Sequence, residues 1–167
     1  MPDSVNTLNL YGPELHRYFM KLALAEAQKA FDTCEVPVGA VLVRNGQLLS
    51  RAHNEVEARR DVSAHAELLA LRRASRQLGI KYFSGCTLYV SLEPCPMCAG
   101  ALLWSKLSRL VFAAPDAKAG ASGSLFNITA NKKLNHQIEV IQGICEAEAA
   151  QLLRQFFEQR RGSSSSL

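Results

Sequence analysis

The chain has 167 residues, 48% of them hydrophobic and 20% charged, with a formal net charge of +4 and a sequence pI near 8.9. That balance fits one soluble globular domain with a full apolar core. No apolar run approaches the roughly 20 residues needed to cross a bilayer, and Met1-Pro2-Asp3-Ser4-Val5-Asn6 has neither the basic nor the apolar region of a secretory signal, so a cytoplasmic protein with no membrane partner is expected.

The elements follow in chain order. Pro13 opens a helical pattern in which Leu15, Phe19, Leu22, Ala23, Ala27, Ala30 and Phe31 recur at helical spacing. Residues 37–43 and 47–52 flank Asn45-Gly46, the signal of a type I′ hairpin. The polar stretch 54–62 reads as a loop. Ser63 is placed to cap a helix over 64–78, and Gly79 to stop it. Residues 86–92 form a buried strand, and Pro94 is expected to start a helix that runs to about 105. Short strands are expected at 109–113 and 137–141, and a last helix at 146–160 with Leu152, Leu153, Phe156 and Phe157 as its apolar stripe. One domain over 1–161 and a disordered Gly-Ser-rich tail over 162–167 complete the plan. Strands alternating with helices predict a layered α/β domain with a mixed sheet: an antiparallel hairpin first, then parallel strands after helical crossovers, with a loop before the last strand.

The mild positive charge permits nucleic-acid binding without requiring it. Five cysteines, an odd number, argue against a disulfide framework, and Cys34, Cys86 and Cys145 read as small buried hydrophobes. Cys95 and Cys98 differ. Three residues apart in a helix, they present both sulfurs on one face of its first turn. His65 lies in the first turn of another helix. One imidazole and two thiolates suit zinc, and three protein ligands leave a fourth position open, as catalytic sites do. Glu67 is then the carboxylate available to handle the protons of water at such a site. Residues i and i+2 of a helix point to nearly opposite sides, so spacing alone does not bring His65 and Glu67 to one point. Two other uses of these residues stay open. One is a redox pair at Cys95 and Cys98, which leaves His65 and Glu67 idle. The other is a closed structural zinc with Cys86 or His53 as fourth ligand.

The run Glu35-Val36-Pro37-Val38-Gly39-Ala40-Val41, with Asn54, His65-Ala66-Glu67, Leu92-Glu93-Pro94-Cys95, Met97-Cys98-Ala99-Gly100-Ala101, Asp116-Ala117-Lys118 and Asn135-His136, resembles the bacterial tRNA adenosine deaminases. The resemblance extends over about residues 14–161. It implies a three-layer α/β/α cytidine deaminase-like fold with a mixed five-stranded sheet. It also implies a cytoplasmic homodimeric hydrolase that converts the wobble adenosine of a tRNA anticodon to inosine, with one zinc per subunit. On this resemblance His65, Cys95 and Cys98 hold zinc, and Glu67 carries protons from water to the adenine ring and to the leaving amine. Asn54 and the Ala66 backbone contact the nucleotide, Val36 and Val38 wall the pocket, and Asp116 meets the RNA sugar. From their charge, Arg160 and Arg161 at the basic C-terminal end are expected to meet the anticodon stem-loop. Members of this family often carry a basic residue just before that aspartate, where this chain has Ala114-Pro115. Two competitors are a deaminase of free bases or nucleotides and a zinc-stabilised RNA-binding module without catalysis. Lys132, Lys133, Arg154, Arg160 and Arg161 speak against the first, and Glu67 against the second.

Overall fold

The computed structural model describes residues 12–164. The N-terminal hexapeptide considered above and residues 165–167 of the tail lie outside them. Five strands form one sheet in the order β2-β1-β3-β4-β5. Strand β1 (Gly39–Arg44) runs antiparallel to both β2 (Gln47–His53) and β3 (Cys86–Leu92), while β4 (Arg109–Ala114) and β5 (Glu139–Gln142) continue parallel to β3. The mixed sheet is as expected, and so is the β4–β5 connection, residues 115–138, which contains no helix.

Alternation along the strands builds two cores. Leu42, Leu88, Val90, Leu110 and Phe112 face helices α3 (Ala66–Leu78) and α4 (Pro96–Trp104). Val41, Val43, Tyr89 and Val111 face the other way, toward Phe19, Met20 and Ala23 of α1 (Gly12–Asp32) and Ala149 of α5 (Glu146–Ser164). The result is three layers. Leu42, Leu88 and Phe112 are at most 1% exposed, and each such side chain contributes about 1.5–3 kcal/mol of transfer free energy.

Several boundaries move for identifiable reasons. At the hairpin, Asn45 and Gly46 take φ of 50° and 73°, as a type I′ turn requires. Strand β1 begins at Gly39 rather than Pro37, because Val38 N–H bonds back to Val36 O at 2.8 Å in a tight turn and Gly39 N–H goes to Ser91 Oγ at 3.0 Å. The stretch read as a loop contains a short helix, α2 (Val56–Arg59). Ser63 does not cap α3: its hydroxyl and its N–H both go to Asp61 Oδ1, and the cap residue is His65 with extended backbone. Helix α4 starts at Pro96, not Pro94, with Cys95 as its extended cap residue. A proline keeps its predecessor out of the α region, so Pro96 excludes Cys95 from the helix and itself takes the first turn. Helix α5 continues past Arg160 through Gly162, Ser163 and Ser164, where Ser163 Oγ–H bonds the Gln159 carbonyl at 3.0 Å. The start of the tail read as disordered is therefore helical.

Helix α1 lies close on the sheet at Gly39. A Cβ there would stand 2.0 Å from Ala23 O and 2.4 Å from Ala27 N, both backbone atoms. Gly39→Ala must push α1 off the sheet and is expected to cost at least roughly 1–3 kcal/mol, the range for overpacking. Urea denaturation of the two proteins measures this, and equal midpoints would contradict the close packing.

Candidate active site and metal centre

The topology brings the functional residues to one edge of the sheet. Strand β3 ends at Leu92 and β4 at Ala114, paired with each other, so Cys95 and Asp116 emerge together. Because β1 is antiparallel to β3, its start lies at that same edge; the end of β2, His53 opposite Gly39, lies there too. Val36, Val38 and Asn54 therefore join them, and α3 begins beside them at His65. Loops at the carboxyl ends of parallel strands are where α/β sheets usually bind ligands.

A cavity of about 290 Å³ opens at this edge, near the lower end of ligand pockets. Val36, Val38, Asn54, Ala66, Asp116 and Arg160 all line it, together with His65, Glu67 and Cys95. Arg161 is exposed and is not in its wall; nor are Lys132 and Lys133, also exposed. Arg160 lies with its guanidinium 5.4 Å from the centre of the Phe156 ring, an arrangement that holds a cation over an aromatic face.

At one side of the cavity His65 Nδ1 stands 3.7 Å from Cys95 Sγ and 3.4 Å from Cys98 Sγ. Zinc bonds of ordinary length at tetrahedral angles place nitrogen and sulfur donors about 3.6 Å apart, so this donor set fits zinc in both chemistry and spacing. Among the described residues these three form the one cluster of metal-ligating side chains. Cys86 begins β3, at the far end of that strand from Cys95, and accepts from Arg44 Nε at 3.3 Å; His53 is held by Glu26 Oε2 at 3.2 Å. Neither supplies a fourth ligand.

The angular difficulty between His65 and Glu67 disappears with the cap geometry. His65 has φ −72° and ψ 150°, outside the helix, and Ala66 is the first helical residue. The helical rule of opposite faces at i and i+2 does not apply across that boundary. Glu67 is 4% exposed. Burial pushes its carboxyl up to about 7. The hydrogen bond from Cys98, with help from His65, takes the Cys95 thiol down to about 4, while the same Cys95 contact and burial push Cys98 up.

Asn54 is fixed by its own surroundings: its N–H bonds Val38 O at 3.0 Å, Nδ2 bonds Val36 O at 3.3 Å, and Oδ1 accepts from Val56 N–H at 3.4 Å. It both starts the loop and lines the cavity. Two buried lining carboxylates have no role assigned from the sequence. Glu35, 2% exposed, accepts from the N–H groups of Glu57 and Ala58 at 3.1 and 2.7 Å and so caps α2 against the cavity. Glu93, also 2% exposed, accepts from the loop after β4. Both lie more than twenty residues from their partners, and no local pattern announces them.

The chain matches the cytidine and deoxycytidylate deaminase zinc-binding region over residues 13–114. Fold, donor set and this match define a zinc-binding deaminase. The tRNA-specific adenosine deaminase of Aquifex aeolicus is 47% identical over 146 residues, 87% of this chain and 96% of that one. A structure solved in studies of A-to-I editing by tRNA:A34 deaminases at the wobble position of transfer RNA superposes with a TM-score of 0.79 at 41% identity, covering 81% of this chain and 99% of that one. The guanine deaminase from Nitrosomonas europaea gives a TM-score of 0.71 at 27% identity, with 93% of each chain covered. The chain belongs to the tRNA-specific adenosine deaminase family.

Removing metal with a chelator leaves Glu67 as a buried acid. Its folded pKa, about 7, lies above the unfolded value of 4.5, so the folded state binds more protons between the two. The associated stability is full below the unfolded pKa and is lost as pH rises through the folded one. Metal-free wild type is therefore expected to lose roughly 2–4 kcal/mol relative to metal-free Glu67→Gln between about pH 4.5 and 8. Urea denaturation across that range checks it, and parallel pH profiles for the two proteins would contradict the assignment.

Proposed function

We propose that this protein is a hydrolase that deaminates adenosine to inosine at the wobble position of a tRNA anticodon. The observation that carries the reading is a base-sized cavity with His65, Cys95 and Cys98 converging at its wall beside the buried Glu67. A zinc-binding RNA module without catalysis has no use for a buried carboxyl with a pKa near neutrality, which suits proton transfer.

The reaction replaces the exocyclic amine at C6 of adenine by oxygen, consuming one water and releasing ammonia. Zinc bound here, one ion per subunit, would lower the pKa of water to about 7 and make a nucleophile available at neutral pH. His65 Nδ1 and the sulfurs of Cys95 and Cys98 would hold it. Glu67 takes the proton of the attacking water, gives it to the ring nitrogen, and then moves a proton to the departing amine. Val36 and Val38 pack on the base, Asn54 and the Ala66 backbone hydrogen-bond the flipped nucleotide, Asp116 accepts from the sugar, and Arg160 and Arg161 meet phosphates. The protein acts in the cytoplasm; no helix among the described residues is long and apolar enough to cross a membrane.

The test is inosine formation in an anticodon stem-loop bearing wobble adenosine, with free guanine and deoxycytidylate as parallel substrates. Glu67→Ala is expected to keep its zinc by elemental analysis, since the residue is not a ligand, and to lose at least ~10²–10⁴-fold in turnover. Near-normal turnover would mean that another group moves the proton.

The second part of the reading is a homodimer. Helix α4 buries Ala99 and Leu102 but leaves Trp104 77% exposed, beside Tyr82, Ala101, Leu68 and Leu71 in a groove between α3 and α4. Apolar surface of this kind is usually covered by a partner. Sedimentation at micromolar concentration should show a dimer that Trp104→Glu weakens; a monomer that still edits the stem-loop would refute it.

A further inference from the structure

The segment after β4, residues 115–124, is irregular, yet it supplies Asp116 and Ala119 to the cavity wall. Such a segment holds its shape only if something outside it satisfies its backbone. Ala121 N–H goes to Pro94 O and Gly123 N–H to Phe126 O, each at 2.8 Å, and three further N–H groups go to one side chain. Glu93 Oε2 accepts from Asp116 N–H at 2.9 Å and from the Ser124 hydroxyl. Glu93 Oε1 accepts from the N–H groups of Ser122 and Ser124, each at 3.0 Å. The carboxylate thus grips the loop at both ends.

The loop closes on it. Gly120 N–H bonds Asp116 O at 2.8 Å, and a Cβ on Gly120 would stand 2.3 Å from Glu93 Oε2 and 2.4 Å from its Cδ. Glycine is what lets the backbone lie against the carboxylate. Asp116 is locked in turn: its Oδ1 accepts from the N–H groups of Lys118 and Ala119 at 3.0 and 3.2 Å. Two residues beyond Glu93 comes Cys95, so one short extended segment carries both the metal-side donor and the anchor of the loop.

We propose that Glu93 is a positioning residue for the substrate: its carboxylate fixes residues 116–124 as a wall of the cavity and thereby sets how tightly the nucleotide is held, without taking part in bond making. The proposal deepens the tRNA adenosine deaminase reading and takes its substrate from it.

The experiment uses the full zinc-loaded chain with Glu93→Gln, which replaces one acceptor oxygen by an amide donor facing loop N–H groups, and Gly120→Ala, which keeps the carboxylate and forces the loop away. Three readouts are taken: zinc content, tryptic cleavage after the exposed Lys118 followed by mass spectrometry, and KM and kcat on the anticodon stem-loop. Losing hydrogen bonds to a buried charge should raise KM roughly tenfold or more in either variant, with faster cleavage after Lys118, zinc retained, and kcat within about threefold. Unchanged KM and unchanged cleavage would overturn the proposal. So would loss of zinc and of cooperative unfolding with an unaltered KM in the surviving active fraction, which is the behaviour of a residue that only supports the fold. If Glu93→Gln does not fold, Gly120→Ala decides. If the parent protein makes no inosine in the stem-loop, the functional reading fails, and Lys118 cleavage alone then judges the loop anchor: unchanged cleavage overturns it, and accelerated cleavage supports it.

Discussion

The position of two helix starts governs this site. His65 and Cys95 are both the residue just before a helix, both with extended backbone, and Cys98 sits in the first turn of the second helix. At such positions the backbone N–H groups have no partner within the helix and the local potential is positive. A thiolate gains there, and a ligand side chain is not confined to a helical face. If α3 began at Ala64, His65 and Glu67 would be separated by the helical twist and could not share one reaction centre. The placement of a single helix boundary therefore decides whether a carboxylate and an imidazole two residues apart can act together.

The sheet supplies the second constraint. A parallel pair alone would put β3 and β4 ends at one edge, with the hairpin free to point elsewhere. Inserting β1 antiparallel beside β3 turns the hairpin so that its open end, not its Asn45-Gly46 tip, meets the cavity. That is why Val36, Val38 and Asn54, remote in sequence from Cys95 and Asp116, line the same space. The close seating of α1 on Gly39 lies just behind this open end, so the apolar wall of the cavity rests on a packed backbone contact.

These two constraints also explain what could be read from the chain. The cluster of His65, Cys95 and Cys98 is legible because its chemistry is local: a Cys-x-x-Cys spacing and a histidine suited to one metal need no knowledge of the fold. The strand 86–92 and the hairpin turn were legible from apolar runs and from Asn-Gly. Helix starts were placed two residues early twice. In each case the boundary is decided by a residue other than the apparent cap or proline: Asp61 holds Ser63 in one, and Pro96 keeps Cys95 extended in the other. The α2 turn was illegible because its stabiliser, Glu35, is twenty-two residues away. Glu93 sits inside a motif that the sequence shows and Gly120 outside any, and their function is a contact across the loop, which no spacing encodes.

The two buried glutamates at the cavity show how one residue type performs opposite tasks. Glu67 and Glu93 are 4% and 2% exposed. Burial alone would raise both carboxyls. For Glu67 it prevails, and the group sits near 7, poised to accept and release protons. For Glu93 burial is outweighed by the Ser124 hydroxyl and the N–H groups of Asp116, Ser124 and Ser122, which hold the carboxyl below its usual range. A carboxylate so firmly ionised is a poor proton carrier and a strong acceptor, suited to fixing backbone. Deeper burial raises Glu67, and the donors aimed at Glu93 hold it ionised; the two together separate a carboxyl suited to moving protons from one suited to holding a wall.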